Sequence, residues 1–501
     1  MSRKNGGIIG PANTPVGGLI TGLAGGVWRM NDVANFVGNS QWPKVPENID
    51  NSLRFDDGST DYLRRTPSSA GNRRTFTFST WIKRSALGSI NRSIICANVD
   101  TANKTMLRFT DSDEIRFVRF TTGGATNQLI TNAKFRDVSA WYHIVLAVDT
   151  TNSTAGDRLR LYVNGSEITS FSTESQPTQN YDYDINNTEE HNIGLGTDTD
   201  THLFDGYMAE VVLIDGQQLD PTSFGEFDTT TGIWKPKKIG QIANAGTNSF
   251  YLDFKDSSNV GNDASGLNND FTVNNLTSID QSTDTCVVNF ATINPLTPAT
   301  ATLSEGNLKF ANSATNHKGV VGTFGASSGK WYCEIKTTDV SDSTHVGIID
   351  IDQQSDTPGN TIGYSSRGYS LSNERDVYNN NGILSGYTDW SGTYGDGDIL
   401  GIAMDLDNNK LYFSKGGQWS NGSGAWDSTT FNASTGAIPI TAGYTYTFGA
   451  SVYNGNNEFN FGSPPFSISS GNSDANGFGN FEYPVPSGYY ALNTSNLNTY
   501  G

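Results

Sequence analysis

The chain has 501 residues with a net charge of −19, only 17% charged side chains and 55 glycines. So acidic a chain repels a phosphate backbone, which argues against nucleic acid as a partner, and no apolar run reaches the ~20 residues that cross a membrane. Aromatics at 11% are too many for a disordered polar chain, and helices with Glu and Lys along one face are missing, so the predicted class is all-β: two antiparallel β-sandwiches (jelly rolls) in tandem, with an extended N-terminal arm and short helix.

Residues 1–47 read as that arm. Asn5 to Val27 carry no charge, and Gly and Pro interrupt the stretch every few positions, so neither a strand nor a signal-peptide core is expected. Trp28 to Gly38 then reads as one short helix, capped by Asn31, with Val33, Phe36 and Val37 on one face and Trp42 just beyond. A solitary amphipathic helix must pack on something, either the next domain or a partner.

Residues 48–275 form the first predicted sandwich. Its strands include Phe76 to Lys83, Thr105 to Phe109, Glu114 to Phe120 and Gly206 to Asp215, all alternating or continuously apolar. Residues 276–310 (rich in Thr, Asn and Pro) read as a polar linker, 311–463 as the second sandwich and 464–501 as a turn-rich tail, either draped or mobile. One hairpin pattern occurs in both sandwiches. Trp141 to Asp149 returns through Leu159 to Gly165, and Asp398 to Asp405 returns through Lys410 to Gly417. In the first, Leu159, Leu161 and Val163 share one face and Arg160 and Tyr162 the other. The charge is uneven, with nine Lys and Arg against 24 Asp and Glu after residue 238. Arg64, Arg65, Arg73 and Arg74 are small basic spots read as solvated surface. Cys96 and Cys333 lie in apolar runs and, with Cys286, show no metal spacing and require no disulfide.

Catalytic chemistry finds little support. A retaining glucanase needs two carboxylates ~5–5.5 Å apart, and Glu226 and Asp228 lack the third acid of such a strand. Gly325 to Gly329 matches a nucleophile elbow but is followed by a strand, so it reads as a turn. Five histidines are scattered, and His143, beside Trp141, is expected to be packed. No cofactor is required. Asp198, Asp200 and Asp205 form the candidate site for Ca²⁺, against the plainer reading of a solvated acidic loop. Tyr364, Arg367, Tyr369, Tyr387, Asp389, Trp390 and Tyr394 lie in Gly- and Ser-rich loops and are the candidate ligand-binding residues, about half of them expected as core plugs.

Phe76 to Trp81, Trp141 to Asp149, Leu161 to Gly165 and Phe204 to Val211 together resemble a laminin-G-like, concanavalin A-like jelly roll. Lys330 to Ile335, His345 to Ile348, Gly395 to Asp405, Leu411 to Gly417 and Phe459 to Gly462 resemble a SPRY domain. With Gly232 to Lys237, Asn262 to Gly266, Asn289 to Pro295 and the arm, the whole resembles virion proteins of tailed bacteriophages, especially of marine hosts. That resemblance implies a fibre or appendage subunit in the virion, docked on other virion proteins through the arm by Trp28, Met30, Val33, Phe36, Val37 and Trp42. It also implies a homo-oligomer, a trimer favoured, that meets a host surface glycan or protein; the missing apolar run and catalytic motifs add the expectations of no membrane insertion and no enzymatic activity. A capsid-decorating protein and a polysaccharide-depolymerising tailspike are the alternatives.

Overall fold

The computed structural model describes residues 49–197, 202–237, 239, 245–296, 301–340, 343–353, 361–428, 431 and 436–501. The arm, its helix and its docking candidates Trp28, Met30, Val33, Phe36, Val37 and Trp42 lie outside the described residues, as do Asp198 and Asp200.

The described chain is nearly all antiparallel sheet. In the first sandwich one sheet runs in the order 166–167, 159–163, 141–149, 75–84, 206–215, 52–55, 281–282, with 250–252 added beside 206–215. The facing sheet runs 171–174, 124–131, 115–121, 104–109, 92–98, 190–193, 62–65, 272–274. Two-residue alternation sets the layers. Phe76, Phe78 and Ile82 enter the core between the sheets with Ile144, Leu146 and Val148. Trp81, Val145 and Ala147 point the other way and are buried too. They are covered by a hairpin, Gly225–Phe227 with Trp234–Pro236, and by the chain around residue 286. Burial on both faces explains why 141–149 is almost continuously apolar, while 75–84 sets small buried Thr77 and Ser79 on its second face.

The second sandwich pairs a ten-stranded sheet, built on 309–312, 455–460, 330–340, 399–405 and 410–415, with a six-stranded sheet in the order 318–321, 446–452, 344–350, 368–372, 377–379, 382–383. The repeated hairpin forms as expected in both halves, with Ile144 opposite Val163 and Ile402 opposite Phe413. The three cysteines are free. No helix among the described residues is long and apolar enough to cross a membrane.

The segment 276–310 corrects the expectation of a free polar linker, because its described part is built into both sandwiches. Gln281–Ser282 pairs with Ser52 and Leu53 of the first, and Thr302–Ser304 pairs with Lys309–Ala311 of the second. Its polar residues find buried partners. The Lys83 ammonium, 1% exposed, donates to Asp284 Oδ2 at 2.7 Å, Asn289 Oδ1 at 2.8 Å and the Phe290 carbonyl at 2.8 Å. All three ammonium hydrogens are thereby used, as a buried charge requires. Arg54 bridges Asp280 and Glu305, and the Tyr207 hydroxyl donates to the Gly306 carbonyl at 2.9 Å.

The tail 464–501 is docked. Tyr490–Ala491 adds a parallel pairing to 330–340, and the helix Thr494–Tyr500 is capped by Asn493. Glu334, buried in the ten-stranded sheet, accepts from the backbone amides of Glu482 and Tyr483, the Asn460 amide and the Tyr332 hydroxyl. Burial raises its carboxyl to about 7 despite those four donors.

Candidate functional site

The outer face of the six-stranded sheet carries the most ligand-ready surface. Val346 and Ile348 point into the core, so His345 points outward, opposite Ser372 and Ser451 on the neighbouring strands. Gly347, Ser370 and Gly449 lie on the same face. Small residues let a single 3₁₀ turn, Ile362–Tyr364, lie flat on the sheet. A Cβ on Gly363 would sit 2.2 Å from Ser370 Oγ, and one on Gly449 would meet Ile362 Cδ1 at 2.6 Å. Ile362 fastens the turn by packing on Val321 and Ile349 and donating its amide to Ser451 Oγ at 2.9 Å.

This close approach delivers Tyr364 to a ring of aromatics. His345 lies 4.9 Å from Tyr378 and 6.2 Å from Tyr364, both edge-on, and His317 lies 5.6 Å from His345 and 5.5 Å from Tyr453. His345 is the buried floor, 3% exposed, and Tyr364, Tyr378, Tyr453 and His317 are half-buried around it. Burial lowers the His345 imidazole to about 3 and also lowers His317, so both rings are neutral at pH 7. His345 Nδ1 lies 3.1 Å from Ser370 Oγ, whereas His317 Nδ1 is buried with no hydrogen-bond partner. The hydroxyls of Tyr364, Tyr378 and Tyr453 make no hydrogen bond within the described protein. Three phenols with uncommitted hydroxyls therefore stand around a neutral, hydroxyl-lined floor, with His317 packed beside them. Such a surface can stack on an apolar face and hydrogen-bond its rim.

Of the seven ligand candidates read from the sequence, the structure brings only Tyr364 to this site. Tyr369, Trp390 and Tyr394 are 5%, 4% and 5% exposed and belong to the core. The Tyr369 hydroxyl pairs with Thr441 Oγ1, and the Tyr394 hydroxyl sits 2.8 Å from the Thr344 carbonyl. Tyr387 is half-buried against that core and donates to the Ala437 carbonyl. Arg367 is paired with Asp350 at 2.9 Å and lies over the Tyr444 ring, and exposed Asp389 pairs with Arg375. Long Gly-rich loops need their own apolar plugs, and these rings supply them. The sequence reading missed Tyr378, Tyr453, His317 and His345. Their signal was a polar residue on alternate strand positions beside glycines, His345 next to Gly347 above all.

The first sandwich treats its outer faces differently. His143, 1% exposed, is stacked between Trp81 at 4.7 Å and Trp234 at 5.9 Å, accepts from Trp234 Nε1 at 3.0 Å and meets Ser79 Oγ at 2.9 Å. It is packed, as the sequence suggested. On the facing sheet Phe120 is flanked by Arg116, Arg108 and Lys104 at 5.2, 5.3 and 5.8 Å. Asp205 is buried, with one carboxylate oxygen unpaired, and burial together with Asp57 raises it to about 8. Among the described residues no group of three or more His, Cys, Asp or Glu is placed to hold a metal. Glu226 and Asp228 sit on the covering hairpin, and both face Lys235.

These geometries define a concanavalin A-like jelly roll followed by a second β-sandwich. Residues 57–219 match the model of the concanavalin A-like lectin/glucanases superfamily. Among solved structures, the SPRY domain of human HERC1 is 12% identical, covering 33% of this chain and 96% of its own, with a TM-score of 0.26. A Bacteroides ovatus protein assigned to carbohydrate binding is 17% identical, covering 46% of this chain and 60% of its own, with a TM-score of 0.33. The heptameric SAP-like pentraxin of Limulus polyphemus is 16% identical, covering 34% and 79%, with a TM-score of 0.26. No curated protein matches the chain.

Proposed function

We propose that this protein is a non-enzymatic recognition subunit that holds a glycan on the Tyr364, Tyr378 and Tyr453 face of its second sandwich. The observation that carries the reading is the set of three uncommitted phenol hydroxyls around a buried neutral histidine. Sugar rings present an apolar face and a hydroxyl rim, which such a surface complements. The lectin-type fold matched over residues 57–219 supports carbohydrate binding as the general role. The resemblance of the whole architecture to tailed-phage virion proteins supports a fibre or appendage subunit, oligomeric and docked through residues 1–47, that attaches to a host surface glycan. A capsid-decorating protein would share the same folds.

The test is binding of the full chain to a panel of bacterial surface polysaccharides, with Tyr378→Ala and Tyr453→Ala as controls. Loss of binding with unchanged thermal stability supports the reading. Release of new reducing ends from any polysaccharide overturns the non-enzymatic part, and binding unaffected by both substitutions removes this face as the site.

A further inference from the structure

The two sandwiches enclose a cleft that the aromatic face does not touch. Its volume is about 330 Å³, at the lower end of the ~300–1,000 Å³ typical of small-molecule sites. One wall is the end of the first sandwich at Ser278, Ile279 and Gln281, and the other is the start of the tail at Pro464, Phe466 and Ser467, with Asn480 beside it. Domain junctions are a common place for ligand sites, because two walls can be shaped independently.

The joint beneath the cleft is fixed. Ser282 Oγ lies 2.6 Å from Ser463 Oγ, and the Thr283 hydroxyl donates to the Gly462 carbonyl at 3.1 Å. One guanidinium ties both walls, since Arg54 donates to the Ile279 carbonyl at 3.2 Å and to the Pro464 carbonyl at 3.4 Å. A site held this way loses little entropy when it is filled.

The lining chemistry narrows the ligand. No lining residue carries a charge, although the chain has a net charge of −19. The charges beside it are already paired, Arg54 with Asp280 and Glu305, and Lys336, 5.0 Å over the Phe466 ring, with Glu458, so a phosphate, uronate or cation gains little there. Hydroxyls and amides alternate with apolar surface instead. The Ser278 and Ser467 hydroxyls and the Asn480 side-chain amide make no hydrogen bond within the described protein, so donors and acceptors are available. Phe466 is nearly buried, and Ile279, 37% exposed, supplies an open apolar edge. Neutral hydroxyl-rich molecules with apolar C–H faces fit this combination.

We infer that the interdomain cleft between Ile279 and Phe466 is a second ligand site, selective for a short neutral saccharide. The inference goes beyond the aromatic face proposed above and shares no residue with it.

The test is titration of the full chain, by calorimetry and saturation-transfer NMR, with maltotriose, laminaritriose and a galacturonate trimer. Asn480→Arg places a charge in the cleft, and Ser278→Trp fills it from an exposed position that folding does not need. A neutral trimer should bind, and each cleft substitution should weaken that binding at least tenfold while Tyr378→Ala leaves it in place. Equal binding of a neutral trimer by both cleft variants and the unaltered chain overturns the inference, as does preference for galacturonate or no binding of either neutral trimer. Loss of binding in Tyr378→Ala alone would instead assign the sugar to the aromatic face, upholding that reading and sinking this one.

Discussion

His143 and His345 occupy equivalent situations in the two sandwiches. Each sits on the outer face of a sheet, each is at most 3% exposed, and burial lowers each to about 3. They differ in what covers them. Over His143 the covering hairpin brings Trp234, whose Nε1 donates to Nδ1, while Ser79 meets the other nitrogen. Both imidazole nitrogens are used, and the hairpin covers the ring. Over His345 the covering turn brings Tyr364 alongside Tyr378, and neither phenol is committed, while His317 nearby keeps a bare Nδ1. A buried neutral imidazole is therefore not by itself a functional mark. The mark is whether the rings above it still have hydrogen bonds to make.

The largest expected effects break the closed side. Trp234→Ala opens a cavity over His143 and leaves its Nδ1 without a donor, so a loss of ~3–5 kcal/mol of stability is expected. Chemical denaturation measures it, and glycan binding at the other sandwich should persist. Trp390→Ala should cost a similar ~3–5 kcal/mol, because Trp390 packs on Phe413 in the second core. Wild-type stability with lost binding would restore Trp390 as a ligand residue.

Titration sharpens the same contrast. Both histidines are depressed from the ordinary 6.5 to about 3, so the folded state binds fewer protons than the unfolded chain in that window. Their contribution is complete above pH 6.5 and is lost as pH falls toward 3. Three buried carboxyls act oppositely. Asp61 and Glu334 are raised to about 7 and Asp205 to about 8, each chiefly by burial, so the stability they confer is lost as pH rises through those values. The two sets oppose each other between about pH 4 and 6.5, and above 6.5 the carboxyls act without the histidines. Stability should therefore decline from pH 6.5 to 8, and Asp205→Asn should remove ~2 kcal/mol of that decline at ~1.4 kcal/mol per pH unit. Melting temperatures across this range check it, and an unchanged slope in the variant would refute the assignment.

Opening the comparison from the other side gives a smaller number. Tyr364→Ala removes one half-buried ring from the His345 face, and loss of one stacking ring costs ~1–2 kcal/mol of binding, roughly 5–30-fold in affinity. Stability should hardly move, because the turn is fastened by Ile362. Equal losses of binding and stability would make Tyr364 a second Trp234.

Much of the fold was legible because alternation survives wherever a strand has one wet face. Leu159, Leu161 and Val163 enter the core and Arg160, 39% exposed, faces away from it, as the pattern required. The segment 276–310 was illegible because polarity reads as solvent exposure. Nothing in the one-dimensional string says that Asp284 will meet Lys83, about 200 residues earlier, inside the joint. Aromatic loops misled in the opposite direction. Trp390 and Tyr394 stand among Gly, Ser and Asp, yet their rings fill the core beneath those loops. His345 looked isolated because its companions Tyr364, Tyr378 and Tyr453 come from three separate segments.

The smallest expected effect closes the case on loop 387–394. Asp389 is 61% exposed, and its ion pair with Arg375, itself 40% exposed, is open to solvent. Such pairs contribute ~0–1 kcal/mol, since water screens the attraction and two side chains lose freedom to make it. Its backbone amide already donates to Asp376 Oδ1 at 2.7 Å, which holds the turn whatever the side chain. Asp389→Ala should thus change stability by less than ~1 kcal/mol and leave glycan binding as it is. Adsorption assays and melting curves run together measure both quantities. A selective loss of adsorption would show that this rim, not the His345 face, contacts the ligand, and the contrast between the two histidines would then mark packing alone.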